Sequence, residues 1–253
     1  MESAKKKVSA SIIVRQGICY LLGLFLIAFG INFSKMSNLG ISPVSSIPRV
    51  LEVIWGFTLG TMLTVVYIVL VIAQIIVLGK KFQIKNILGI LLAFVFGWIT
   101  DLTGIDPKAF GHWLLNFPRP QTYIVKLLYL AIAIILIGIG VLLYLRPNWI
   151  PMPAEGLAAA ISGRTGKAFG DCKTYVDSGM ILVALILQLI FLGGFKSFTG
   201  DNVVIREGTI LCAILIGQVV KFLAKRFGSK IDRLIGKGQP EIAKKPETEK
   251  EES

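Results

Sequence analysis

Long apolar runs separated by short charged stretches dominate this chain. A run of about 20 apolar residues is long enough to cross the hydrocarbon core of a bilayer as a helix. In lipid, only helices and closed barrels satisfy their own backbone hydrogen bonds, and these runs are too long and unbroken for barrel strands. The chain therefore reads as an all-α membrane protein. About six spans meet the length criterion, at residues 17–33, 59–79, 87–102, 124–145, 175–194 and 208–227. No A-x-A-like cleavage site follows the first run, so that run is expected to stay as a span.

The chain also repeats itself. Asn38, Pro43, Gly56 and Gly60 align with Asn148, Pro153, Gly166 and Gly170 at a common offset of about 110 residues. Gly30 and Gly140 keep the same register. After a small insertion, Gln74, Leu78 and Gly79 line up with Gln188, Leu192 and Gly193. Each unit reads as a long span, a polar stretch broken by Gly and Pro, a short apolar piece, and two more spans. Three spans is an odd number, so the second unit enters the membrane from the opposite side. The expected architecture is two inverted three-helix repeats, the usual layout of a transporter scaffold. Residues 1–9 form a polar N-terminus, 10–112 the first repeat and 113–227 the second. Residues 228–253 form a polar cytoplasmic tail, expected to be disordered because its end has nothing apolar to bury.

The charge pattern fits this layout. The chain carries 27 Lys and Arg against 15 Asp and Glu, a formal net charge of +12. The cations cluster at Lys5, Lys6 and Lys7; at Lys80, Lys81 and Lys85; at Arg164 and Lys167; and at Lys225, Arg226, Lys230 and Arg233. In a six-span layout all four clusters lie on one side, which the positive-inside rule makes the cytoplasm. Both termini are then expected to be cytoplasmic. No basic stripe is interleaved with stacking aromatics, so nucleic acid is excluded as a partner and anionic lipid is expected. Cys19, Cys172 and Cys212 are scattered and read as inert thiols. The single histidine, His112, lies in a polar loop at 106–121 and has no partners for a metal site.

The short pieces at 44–55 and 154–162 are too short to cross a bilayer. Each follows a proline, Pro43 or Pro153, which suits the first helical turn. Each ends near a glycine, Gly56 or Gly163, which suits a C-terminal stop. One reading is an amphipathic helix on the membrane surface. The other is a half-helix dipping inward with its N-terminal N–H groups facing a buried polar site.

Charged residues inside spans are costly and ask for a reason. Asp177 lies in the fifth span with Lys173 one turn earlier, so the two share a face and can pair. That pair serves either as a structural ion pair at the membrane edge or as part of a working site. Glu155 follows Pro153 closely and either caps the short helix or joins the same site. Arg49 and Glu52 lie one turn apart and are expected to form a surface couple. Asn32 and Asn38, at the end of the first span, line a polar cavity or cap the helix. Asp101 is expected to be a solvated helix end at the outer interface. Arg206 and Glu207 open the last span. No H-E-x-x-H, G-x-S-x-G or Walker sequence is present, so neither an enzyme nor an ATP-driven pump is expected.

Several of these motifs occur together in a known family. Gly40-x-Ser42-Pro43 resembles the G-x-S/G-P that opens the first unit of the YczE/YyaS/YitT family of bacterial integral membrane proteins. Pro153-Ala154-Glu155-Gly156-Leu157, followed by Arg164-Thr165-Gly166, is similar to that family's P-x-D/E-G-L and R-T-G. Lys173-x-x-x-Asp177 resembles its basic–acidic pair. Leu192-Gly193-Gly194 resembles its L-G-G, and Gly208-Thr209 with Ala213 and Gly217 its G-T-x-x-x-A-x-x-x-G. Two family motifs are missing from the first repeat. Val44-Ser45 stands where the family has W-D, and Leu88-Gly89-Ile90 stands where it has G-T-x-x-N. The resemblance covers about residues 15 to 227. It implies a multi-pass plasma-membrane protein of bacteria with a role in export or transport.

The expected function is secondary transport of an unidentified small molecule or ion through a central polar site, without a cofactor. Glu155, Lys173 and Asp177, with Pro153, Arg206 and Glu207, form the second-half binding set. Ser42 and Pro43 form the first-half counterpart. The alternative is a non-transporting accessory protein that stabilises or regulates a partner complex. A second copy of the chain or another protein is a further candidate partner.

Overall fold

A computed structural model describes residues 10–79, 87–104, 117–192 and 203–236. The basic clusters at Lys5 to Lys7 and at Lys80, Lys81 and Lys85 lie outside the described residues. So do His112, Gly193, Gly194 and the tail beyond residue 236. All regular elements described are helices. In chain order they are α1 (Ala10–Ser37), α2 (Pro43–Trp55), α3 (Leu59–Leu78), α4 (Leu88–Leu102), α5 (Tyr123–Leu145), α6 (Pro153–Thr165), α7 (Phe169–Phe191) and α8 (Glu207–Leu234).

Five of them, α1, α3, α5, α7 and α8, are long and apolar enough to cross a membrane. The chain is therefore a multi-span membrane protein. The sixth apolar stretch, α4, has only 15 residues, a rise of roughly 22 Å at 1.5 Å per residue. The helices also reach further than the apolar runs that mark them. α1 begins at Ala10, α7 at Phe169, and α8 continues to Leu234. The tail expected from residue 228 is thus helical for its first residues. Polar helix ends that project beyond the hydrocarbon are invisible to a count of apolar residues.

α2 and α6 are the short pieces, each of 13 residues. Both start with proline at the first turn and both end on a left-handed glycine, Gly56 at φ 70° and Gly166 at φ 72°. The stop expected at Gly163 falls three residues later, at Gly166. Ahead of each helix stands an asparagine in the left-handed region, Asn38 at φ 52° and Asn148 at φ 55°. Only glycine and asparagine adopt that conformation readily, which explains the residue type at both positions.

α1 packs along α5 more extensively than any other pair. Glycine allows that approach: a Cβ on Gly23 would come within 2.5 Å of the Tyr144 amide nitrogen. Each short helix packs on two neighbours, α2 on α3 and α7, α6 on α7 and α3. α5 packs on α8 and α1 on α4. The reciprocity stops at one place: α3 lies against α4, while α7 and α8 barely touch. A buried cluster joins Val66 of α3, Ala154 and Ala158 of α6, and Cys172, Val176 and Met180 of α7, with Val44, Ile47 and Leu51 of α2 against it. It holds both short helices to the same stretch of α7.

Polar groups inside the bundle tie helices together. Asn32 donates to the Thr100 carbonyl at 3.0 Å and to the Thr103 hydroxyl at 3.0 Å, linking α1 to α4. Asp101 is not the solvated helix end expected of it. Its Oδ1 accepts from the Gly60 N–H at 2.8 Å and its Oδ2 from the Thr58 hydroxyl at 2.6 Å. A carboxylate there satisfies the free N–H groups at the start of α3. Among the cysteines, Cys172 and Cys212 are buried, Cys19 is half-buried, and all three are free thiols.

Candidate functional site

The N-terminus of α6 begins beside the middle of α3. The Tyr67 hydroxyl lies 4.0 Å from the Met152 sulfur, and Gln74 Nε2 donates to the Pro153 carbonyl at 2.9 Å. Gly156 sits against Gln74, where a Cβ would meet Oε1 at 2.7 Å. At its other end, α6 reaches the C-terminal turn of α3, where Arg164 donates to the Val77 carbonyl at 2.6 Å. The helix therefore descends along α3 from its midpoint to its end.

Glu155 is the third residue of α6. Its Oε2 is buried and has no hydrogen-bond partner. Unpartnered buried carboxylate oxygens are rare because desolvation without compensation is costly. The charged groups that act on it are Lys173 and Asp177, both on α7. These two pair with each other, Lys173 Nζ lying 2.5 Å from Asp177 Oδ1. The sequence-predicted trio of Glu155, Lys173 and Asp177 is thus brought together. Burial pushes the Glu155 carboxyl up to about 7; the Lys173 ammonium pulls it down, Asp177 raises it further, and the Met152 N–H lowers it. Tyr20 of α1 and Tyr67 of α3 lie within electrostatic reach of Glu155.

α2 approaches the same stretch of α7. Ser46 donates to the Met180 carbonyl at 3.3 Å and to the Pro43 carbonyl at 2.6 Å. Met180 follows Asp177 by one turn. Ser42, just before Pro43, donates to the Ser45 hydroxyl at 3.1 Å. Ser42 and Pro43 are buried at the start of α2, and the side chain that bridges to α7 is Ser46.

The other anticipated groups lie elsewhere. Arg206 and Glu207 pair with each other at 3.4 Å at the start of α8. The segment before them is held by Gln188, whose Oε1 accepts from the Val204 and Ile205 N–H groups at 3.0 and 2.8 Å. Arg49 and Glu52 do not form a surface couple. The Glu52 side chain is only 3% exposed; it pairs with Arg49 at 2.6 Å and also with Lys35 of α1. A cation 17 positions upstream leaves no local spacing signal, so sequence reasoning missed it. The aromatic cluster just ahead of α6 was also missed. Tyr20 donates to the Ile150 carbonyl at 2.8 Å, and its ring lies 5.9 Å from Tyr144 and 5.6 Å from Trp149. Gln74 did carry a signal, since a polar amide inside an apolar span needs a partner.

A model of the family of unknown function DUF6198 matches residues 14–225. The chain belongs to that family. It is also similar to the "Uncharacterized protein YyaS" of Bacillus subtilis (strain 168), with 26% identity over 172 residues, covering 67% of this chain and 79% of the relative. That agrees with the motif resemblance to the YczE/YyaS/YitT proteins. No solved structure matches.

Proposed function

We propose that this DUF6198 member moves a small molecule or ion across the bacterial plasma membrane through a polar site beside the N-terminal half of α7. The observation that carries the reading is Glu155: a buried, unpartnered carboxylate oxygen on a helix that does not span, facing an ion pair on a helix that does. Groups of this kind inside a membrane bundle line substrate and ion paths. A non-spanning helix that presents its N-terminus to the interior is a recurrent transporter device.

The two halves are inverted copies in this reading. Its support is the reciprocal packing of α2 on α7 and α6 on α3, together with the matched proline, asparagine and glycine positions. α4 is the sixth crossing and both termini are cytoplasmic. The basic groups Arg164, Lys167, Lys225 and Arg226 then share the cytoplasmic face. Glu155, Lys173 and Asp177 bind the substrate or coupling ion, while Ser42, Pro43 and Ser46 shape the site from the α2 side. Arg206 and Glu207 would act only at the entrance of α8.

A thermal-shift screen of the purified protein against metabolites and drugs tests this reading, since a ligand that binds the folded state raises its stability. The expected result is a ligand that stabilises wild type but not Asp177→Asn. If none does, the accessory role in a partner complex becomes the better account.

A further inference from the structure

The charges around Glu155 do not balance. α7 brings one ammonium, Lys173, and one carboxylate, Asp177, and these satisfy each other at 2.5 Å; its other carboxylate, Asp171, is exposed. Glu155 adds a second carboxylate with a buried, unpartnered oxygen. The other neighbours are neutral: Tyr20 from α1, Tyr67 and Gln74 from α3, and Tyr144 from α5, whose hydroxyl accepts from the Met152 N–H at 3.4 Å. Arg164, the other charged residue of α6, is bonded to the Val77 carbonyl at the far end of the helix. Asp101, the one charged residue of α4, is held at the start of α3 by Thr58 and Gly60. An ionised Glu155 leaves one ammonium facing two carboxylates. Only a proton or a second cation neutralises the site.

We infer that Glu155 exchanges a proton for an organic cation, so that the site holds one or the other. The inference rests on the transport reading above and names its coupling ion and substrate class. The proton leaves the Glu155 carboxyl for water as the cation arrives, one for one. An aromatic cluster next to the site favours an organic cation. Tyr20, Tyr144 and Trp149 cluster beside the start of α6, and cations are attracted to aromatic faces. Among the described residues, no three His, Cys, Asp or Glu side chains come together to hold a metal ion.

The test is calorimetric binding of tetraphenylphosphonium to the full chain in nanodiscs, run in two buffers of different ionisation enthalpy. The expected result is release of about one proton per cation bound, with affinity rising about tenfold per pH unit while Glu155 is protonated. Glu155→Gln, which is neutral like the protonated site, should lose most of the cation affinity and release no proton, and Glu155→Asp should restore both binding and proton release. Wild-type binding without proton release, no wild-type binding, or proton release that survives in Glu155→Gln overturns the inference. Proton-linked binding with no movement in vesicles leaves this inference standing and removes the transport reading. Movement of a neutral or anionic compound, without proton-linked cation binding, does the reverse.

Discussion

Lys173 Nζ lies 2.5 Å from Asp177 Oδ1, one turn apart on α7, and Glu155 of α6 faces the pair without a cation of its own. The side chains of the pair are 24% and 26% exposed, so the pair reaches the edge of the protein interior. A pair in that position orients the site more than it stabilises the fold.

The pair should behave as a coupled unit. Asp177→Asn and Lys173→Met are each expected to lower thermal stability, and the double variant to recover part of the loss. The coupling should be about 1 kcal/mol, the scale of a partly exposed pair. Unfolding of the four proteins in a double-mutant cycle measures it. Strictly additive losses would mean that the two side chains do not interact.

Glu52 should matter more to stability than Asp177. Its side chain is 3% exposed, and Lys35 and Arg49 both pair with it. Removing one partner of a buried ion pair leaves uncompensated charge, at a cost of about 3–5 kcal/mol. Glu52→Gln is therefore expected to unfold at a markedly lower temperature than wild type, and Arg49→Ala to show a smaller drop. Equal, small effects of both changes would contradict the buried triad.

Local signals in the sequence located most of the elements. Pro43 and Pro153 mark the starts of α2 and α6, because proline suits the first turn, although α2 also carries Pro48 in its interior. Gly56 marks the end of α2, because it takes the left-handed cap. Gly163 misled because glycine also sits inside helices, where nothing in the local sequence separates it from a cap such as Gly166. The meeting of Glu155, Lys173 and Asp177 was legible only in part. The i, i+4 spacing gives Lys173 with Asp177, but bringing α6 onto α7 depends on apolar packing around Val66 and Met180. Lys35 with Glu52, and Tyr20 with Tyr144, are contacts between helices that no spacing rule encodes.

Topology is the next expectation. A single cysteine at Gln121 and one at Lys230, each in a background lacking Cys19, Cys172 and Cys212, should label from opposite faces. The Lys230 position should be reached from the cytoplasm. Labelling of both from one face would remove the inverted arrangement.

Stability should depend on pH through Glu155. Its carboxyl is raised in the folded protein from 4.5 to about 7. A raised folded value means that the folded state holds the proton more tightly than the unfolded state. The contribution is full below 4.5 and is lost as pH rises through about 7. Its size is on the order of 3 kcal/mol. Wild type should therefore melt lower above neutrality than in mild acid, and Glu155→Gln should flatten that slope. An unchanged slope in Glu155→Gln would assign the pH dependence to other groups.

The most direct measurement is counterflow in proteoliposomes, using the ligand that the thermal-shift screen identifies. Vesicles loaded with unlabelled ligand should transiently accumulate labelled ligand when they carry wild type and fail to do so when they carry Asp177→Asn, at a temperature where both proteins are fully folded. Accumulation that is equal in the two proteins, or absent from wild type although the ligand binds, would contradict transport through the Glu155–Lys173–Asp177 site.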